Sequence, residues 1–194
     1  MAGHRERMVA SAALLIQERG AHPTAIADVL AHSGAPRGSA YHYFPGGRTQ
    51  LLCEAVDYAG AYIASRIEKA RGGVEVLDAV VEGFRKKLVD SEFRAGCPVV
   101  AVAVESGGKN DQVPPVIERA AAAFARWNTL ITDRLIADGV RADRAEQLAM
   151  LVLAAVEGAI VVARASRDVK PLELVHSQLQ ALLEAAIQEG KAQR

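Results

Sequence analysis

The chain has 194 residues, of which 51% are hydrophobic, 24% charged and only 5% aromatic, and its 23 basic residues balance 23 acidic ones. Such a composition belongs to a globular protein long enough to bury a core, and it excludes a disordered chain. Zero net charge also excludes a surface that is basic all round, so any contact with nucleic acid must be local.

Residues 5–19 (RERMVASAALLIQER) place Met8, Val9, Ala12, Ala13, Leu15 and Ile16 at helical spacing, and Gly20 is the expected C-cap. His22-Pro23 forces a turn. Thr24 is then expected to cap a short second helix that carries Asp28 and turns Ile26, Val29 and Leu30 inward, with Gly34 ending it. Pro36 is expected in the first turn of a third helix, where its missing N–H costs nothing, and Tyr41, Tyr43 and Phe44 close the unit. Pro45-Gly46-Gly47 reads as a loop.

A long helix is expected from about Arg48 to about Ala70, with Leu51, Leu52, Ala55, Val56, Ala59 and Ile63 on one face. Arg71-Gly72-Gly73 breaks it, and 74–92 forms the next helix. The run 97–105 (CPVVAVAVE) alternates like a strand, but its helical surroundings and the Ser-Gly-Gly after it favour a short buried helix. Gly107–Asp111 reads as a loop. Pro114-Pro115 starts a helix ending near Gly139, 142–166 is a long and very apolar helix, Pro171 opens a final one to about Gln188, and the tail GKAQR is expected to fray. The expected class is all-α, about nine helices and no strand. It divides into an N-terminal helix-turn-helix domain at 1–50 and a helical domain at 51–194.

Three constellations could carry chemistry. The first is 24–44, two short helices about a glycine turn, the second shaped to enter a DNA major groove. Helix 3 is expected to present Pro36, Arg37, Ser39, Ala40 and His42 outward. Arg37 can fork onto a guanine edge or reach a phosphate, Ser39 and Tyr41 can hydrogen-bond phosphates or bases, and His42 and Tyr43 lie at the helix end. Arg48 would stand just before the next helix, whose N-terminus attracts a phosphate. Residues 1–50 hold five Arg, three acids and four of the five His, a lean toward DNA. Thr24 and Ala25, at the start of helix 2, complete the expected DNA-facing set.

The second constellation is a group that could line a pocket: Phe84, Phe93, Cys97, Val100, Phe124, Trp127, Asn128, Met150, Leu153 and Glu157. Most apolar residues of the C-terminal part must be core, and Glu157 is an acid within an otherwise apolar helix. The third is 142–166. Its small residues Ala154, Ala155, Gly158, Ala159 and Ala163 permit close helix approach. Together with Leu172, Val175, Leu179, Leu182, Leu183 and Ile187 they could form an interface with a second copy.

Cys53 and Cys97 are distant and lack metal-like spacing, so they read as reduced thiols and no metal is expected. No nucleophile, phosphate loop or zinc motif stands out, and neither an enzyme nor a cofactor is expected. With Gln17, Glu18 and Arg19 interrupting the N-terminal stretch and no uninterrupted apolar run of membrane-spanning length, the expectation is a cytoplasmic protein with no membrane contact.

Residues 8–52 resemble the DNA-binding region of the TetR family of transcriptional repressors. The family's pattern appears in order: Thr24, Asp28, Gly34, Arg37-Gly38-Ser39, then Tyr41-His42-Tyr43-Phe44. The loop PGGR and the later GCPVVAVAVES are similar to the LmrA/YxaF-like branch. Two positions depart from the pattern. Ala40 stands where a larger aliphatic is usual, and Ala35-Pro36 where Val-Ser is commoner. The resemblance implies a homodimer on a pseudo-palindromic operator. It also implies a cavity for a small apolar or amphipathic effector and a four-helix interface within about 142–190. A helical small-molecule carrier with a vestigial DNA-binding region is the rival reading, and zero net charge is its support.

Overall fold

The computed structural model describes residues 3–105 and 114–192. Among them are nine helices and no strand. They are α1 (His4–Arg19), α2 (Ile26–Ser33), α3 (Ser39–Tyr43), α4 (Gly47–Lys69), α5 (Gly73–Asp90), α6 (Pro98–Ala103), α7 (Pro114–Ala137), α8 (Ala142–Ser166) and α9 (Lys170–Ala192). The all-α expectation is met, and 97–105 resolves as a helix. The loop expected at Gly107–Asp111 lies outside the described residues. The C-terminal tail does not fray as expected within them, since α9 continues to Ala192.

The chain forms two compact units, Met1–Ala61 with Cys97–Ala123, and Tyr62–Gly96 with Phe124–Arg194. The first unit therefore takes in more than residues 1–50. In it, α1 packs on α2 and on α6. Met8, Ala12 and Ile16 recur on one face of α1, and they are buried together with Val29, Ala40, Phe44, Leu51 and Ala55. Leu15 and Ile26 are only half-buried.

In the second unit α8 packs on α9, and α5 packs on both. The core holds Leu77, Leu88, Trp127, Leu135, Leu148, Ile160, Leu172 and Leu183. Asp138, in the turn after α7, accepts the Gly73 N–H at 2.6 Å and satisfies a donor that the start of α5 would otherwise orphan. By length and composition α8 could cross a membrane. Ala145, Leu148, Ala149, Val152, Val156, Ala159, Ile160 and Ala163 are nonetheless buried in the unit, and so is the acidic Glu157.

The burial pattern of α8 and α9 revises the expected interface set. Ala159 and Ala163 of α8, and Leu172, Leu179 and Leu183 of α9, are buried within their own unit. The faces left uncovered are Met150, Leu151, Ala154, Gly158, Val161 and Val162 on α8, and Leu174, Ala181 and Ala185 on α9. A helix has two sides, and here both carry apolar residues of mixed size: Ala159 and Ala163 are buried beside Leu148 and Ile160, while Met150, Leu151 and Leu174 are exposed.

Candidate functional site

The turn between α1 and α2 sets where the next two helices point. It is irregular, yet nearly every carbonyl in it has a partner. Thr24 is not the N-cap expected from sequence. It is 1% exposed, and its hydroxyl donates to the Gly20 carbonyl at 2.7 Å. Ala25 is the N-cap, and the Asp28 carboxylate reaches back to accept the Ala25 N–H at 3.2 Å. Asp28 also pairs with Arg19 at 2.8 Å, tying α2 to the last turn of α1.

Arg48 departs from its expected place as well. It lies inside the first turn of α4, and its guanidinium donates to three carbonyls: Thr24 at 2.9 Å, Ala21 at 2.6 Å and His22 at 2.8 Å. Those bonds direct its fork into the turn rather than outward toward a phosphate. From the other side, both carboxylate oxygens of Glu105 accept the His22 N–H, at 2.9 and 3.1 Å. Gly20 makes room for this. Its φ is +90° and ψ 169°, and a Cβ there would collide with Glu105 Oε1. Glu105 was not singled out in the sequence, because nothing local links it to residues so far upstream.

Gly34 ends α2 in the left-handed conformation, φ +66°. Pro36 does not enter helix 3. The third helix begins only at Ser39, whose N–H and hydroxyl both donate to the Pro36 carbonyl, at 2.9 and 2.6 Å. Ala40, expected to face outward, is instead 1% exposed and packs with Phe44 in the core. The small alanine lets this short helix sit close to α1. Ala25, Pro36, Arg37 and His42 are exposed, Ser39 and Tyr43 are half-buried, and Tyr41 is 72% exposed. Arg37 makes no ion pair among the described residues. Its charge therefore stands open in the turn that leads into the second helix of the helix-turn-helix.

The pocket candidates divide between the two units. Cys97 and Val100 belong to the first, at the start of α6. Phe93 stands in the turn after α5 with φ +62°, its N–H on the Leu88 carbonyl at 2.7 Å. None of these three lines either of two cavities in the second unit. The first is small, about 30 Å³, and gathers Phe84, Trp127, Leu153 and Glu157 among other apolar residues of α4, α5, α7 and α8. The second is an open groove of about 580 Å³ between α7 and α8, lined by Phe124, Ala125, Asn128, Thr129, Met150, Leu153, Ala154 and Glu157. Ala125 and Thr129 were missed in the sequence. The signal was present, because they sit beside Phe124 and Asn128 at i, i+4 spacing. Leu153 and Glu157 line both cavities. Phe124 and Trp127 meet edge to face at 5.5 Å. No cluster of metal-ligating side chains occurs among the described residues.

Residues 9–55 match the model for bacterial regulatory proteins of the tetR family, and residues 73–178 match that for the transcriptional regulator LmrA/YxaF-like C-terminal domain. The chain is 61% identical over 191 residues to the HTH-type transcriptional regulator Rv0196 of Mycobacterium tuberculosis, covering 97% of this chain and 98% of that one. It is 30% identical to the HTH-type transcriptional regulator LmrA of Bacillus subtilis, covering 92% and 96%. Among solved structures it is similar to a TetR transcriptional regulator from Chloroflexus aurantiacus, at 31% identity and a TM-score of 0.72 over 93% of this chain and 94% of that one. With both segments matched, the reading surface and the helical pocket region fall within one known plan, and the chain belongs to the TetR family of transcriptional regulators, in its LmrA/YxaF-like branch.

Proposed function

We propose that this regulator is a cytoplasmic, effector-released repressor that binds a pseudo-palindromic operator as a homodimer. The observation that carries the reading is the exposed set of Arg37, in the turn before α3, with Tyr41 and His42 on α3, next to an α1–α2 turn held by Arg48 and Glu105. Residues 1–50 would read DNA, and 51–194 would bind effector and pair the subunits. Pairing through the uncovered faces of α8 and α9 would set two recognition helices roughly 34–36 Å apart, one helical turn of DNA. Pro36, Ser39 and Tyr43 would add backbone contacts, whereas the hydroxyl of Thr24 and the guanidinium of Arg48 serve the turn. An effector bound in the α7–α8 groove would favour a subunit arrangement with the wrong spacing, and DNA affinity would fall by the differential binding energy.

Fluorescence anisotropy on promoter DNA at several salt concentrations tests this. Arg37→Ala is expected to weaken operator binding about tenfold or more and to flatten the salt dependence by about one counterion. Unchanged affinity and unchanged salt slope together would remove α3 as the recognition helix. If the unaltered chain bound no promoter DNA in a salt-dependent manner, the small-molecule carrier reading would stand instead.

A further inference from the structure

We infer that a notch between α4 and α5 is a further ligand site, taking the carboxylate head of an amphipathic acid on Arg66 and Lys87. The notch shares no lining residue with the α7–α8 groove, so the inference goes beyond the proposed function, and its failure would leave that reading untouched.

Helical spacing builds the notch. Tyr62 and Arg66 lie one turn apart on α4, and Val80, Gly83, Phe84 and Lys87 recur at i, i+3, i+4 and i+7 along α5. Arg66 and Lys87 line it, and no acid does. Arg66 donates from Nη1 to the Tyr62 phenol at 3.2 Å and from Nη2 to the Ala79 carbonyl at 3.0 Å. Both acceptors are neutral, and a guanidinium has five N–H donors and keeps its charge. Its Nε is buried with no hydrogen-bond partner among the described residues. The acids close by in sequence are engaged elsewhere. Glu68 pairs with Arg126 at 2.8 Å, Asp78 with His176 at 2.7 Å, Glu82 with Arg85 at 2.7 Å and Asp90 with Lys86 at 2.9 Å. Arg66 is thus a half-buried cation with no acid paired to it among the described residues.

The rest of the wall says what kind of anion fits. Arg66 Cζ lies 5.9 Å from the Tyr62 ring centroid and Lys87 Nζ 5.3 Å from that of Phe84. Ring faces attract cations but carry no net charge, so the positive balance stays. The space is about 20 Å³, room for a group of about the size of water. A carboxylate oxygen can enter it, and the body of the ligand must stay outside. There the Tyr62 ring, 49% exposed, offers an apolar face, next to the apolar wall of Ile63, Val80 and Phe84. An inorganic anion would leave that surface unused. Gly83 makes the close approach possible: a Cβ there would stand 3.1 Å from Arg66 Cζ and 3.2 Å from Nη2, and would press the guanidinium away from α5.

Isothermal titration calorimetry on the full chain without DNA, at constant ionic strength, tests the site with 4-phenylbutyrate, neutral 4-phenylbutyramide, acetate and sulfate. Phenylbutyrate is expected to bind roughly tenfold or more tighter than each of the other three. Arg66→Gln is expected to erase the advantage of the acid over the amide. Gly83→Ala keeps both cations and favours the helix, and is expected to weaken the acid about fivefold by displacing the guanidinium. Equal binding of acid and amide, or an acid preference that survives Arg66→Gln, overturns the inference. Acetate or sulfate binding as tightly as phenylbutyrate overturns the apolar body. Unchanged acid affinity in Gly83→Ala overturns the notch as the site, and decides the matter even if Arg66→Gln does not fold. Absence of heat from every probe at millimolar concentration overturns the inference as a whole.

Discussion

Arg37 and Arg48 carry the same charge in opposite surroundings. Arg37 is exposed, whereas Arg48 holds three carbonyls of one turn. Arg48→Ala leaves those acceptors without a charged donor, and a hydrogen bond from a charged group is worth about 1.5–3 kcal/mol. We expect it to lower the urea midpoint of unfolding by the equivalent of about 2 kcal/mol, while Arg37→Ala leaves that midpoint in place and changes only DNA binding. Gly20→Ala would force a side chain into backbone geometry that only glycine accepts, at a cost of about 1–3 kcal/mol, and push against Glu105 as well. Its calorimetric Tm should fall, and Glu105→Ala in the same chain should recover only the part that comes from the collision. The thiol of Cys53 is raised above its ordinary range by burial, which outweighs the opposing Arg119 charge. Its neutral form therefore persists to higher pH. At pH 8 iodoacetamide should alkylate it more slowly than a cysteine in an unstructured peptide, and a rate equal to the peptide's would show that burial does not govern it.

The elements differ in what holds them. With five residues, α3 is too short to be stable as an isolated helix, so its order comes from Ala40 and Phe44 packed beneath it. Phe44→Ala should cost about 3–5 kcal/mol and abolish operator binding together with the near-ultraviolet signal of the first unit. This also explains which elements were legible in sequence. The long helices α4, α5, α7, α8 and α9 repeat their apolar positions over several turns, and α4, α5, α7 and α9 begin at or beside Gly or Pro, so periodicity located them to within a few residues. Gly34 signalled the end of α2 for the same local reason. Thr24, Pro36, Ala40 and Arg48 were misplaced because their roles depend on groups distant in sequence. A threonine before a helix reads as a cap until Gly20 is found to take its hydroxyl, and an arginine at a helix start reads as a phosphate ligand until the α1–α2 turn is found beneath it. The two sides of α8 and α9 were illegible for another reason. Periodicity identifies the apolar residues of α8 and α9 but does not say which side the subunit itself will fill.

At the scale of the molecule, the uncovered stripe on α8 predicts the assembly. Val161→Asp places a charge toward its C-terminal end, away from the groove, and should convert a dimer to a monomer in sedimentation equilibrium, with a parallel loss of operator affinity. A wild-type monomer at micromolar concentration would refute the pairing. Met150 and Ala154 belong to that stripe and to the wall of the α7–α8 groove at once. A groove sharing its wall with a pairing surface ties two equilibria into one thermodynamic cycle. Whatever a ligand does to subunit association, association does to ligand affinity by the same factor. If the groove takes an effector and the stripe pairs subunits as proposed, the amount of regulator becomes a signal in its own right, because diluting the protein would move the effector threshold without a change to any residue.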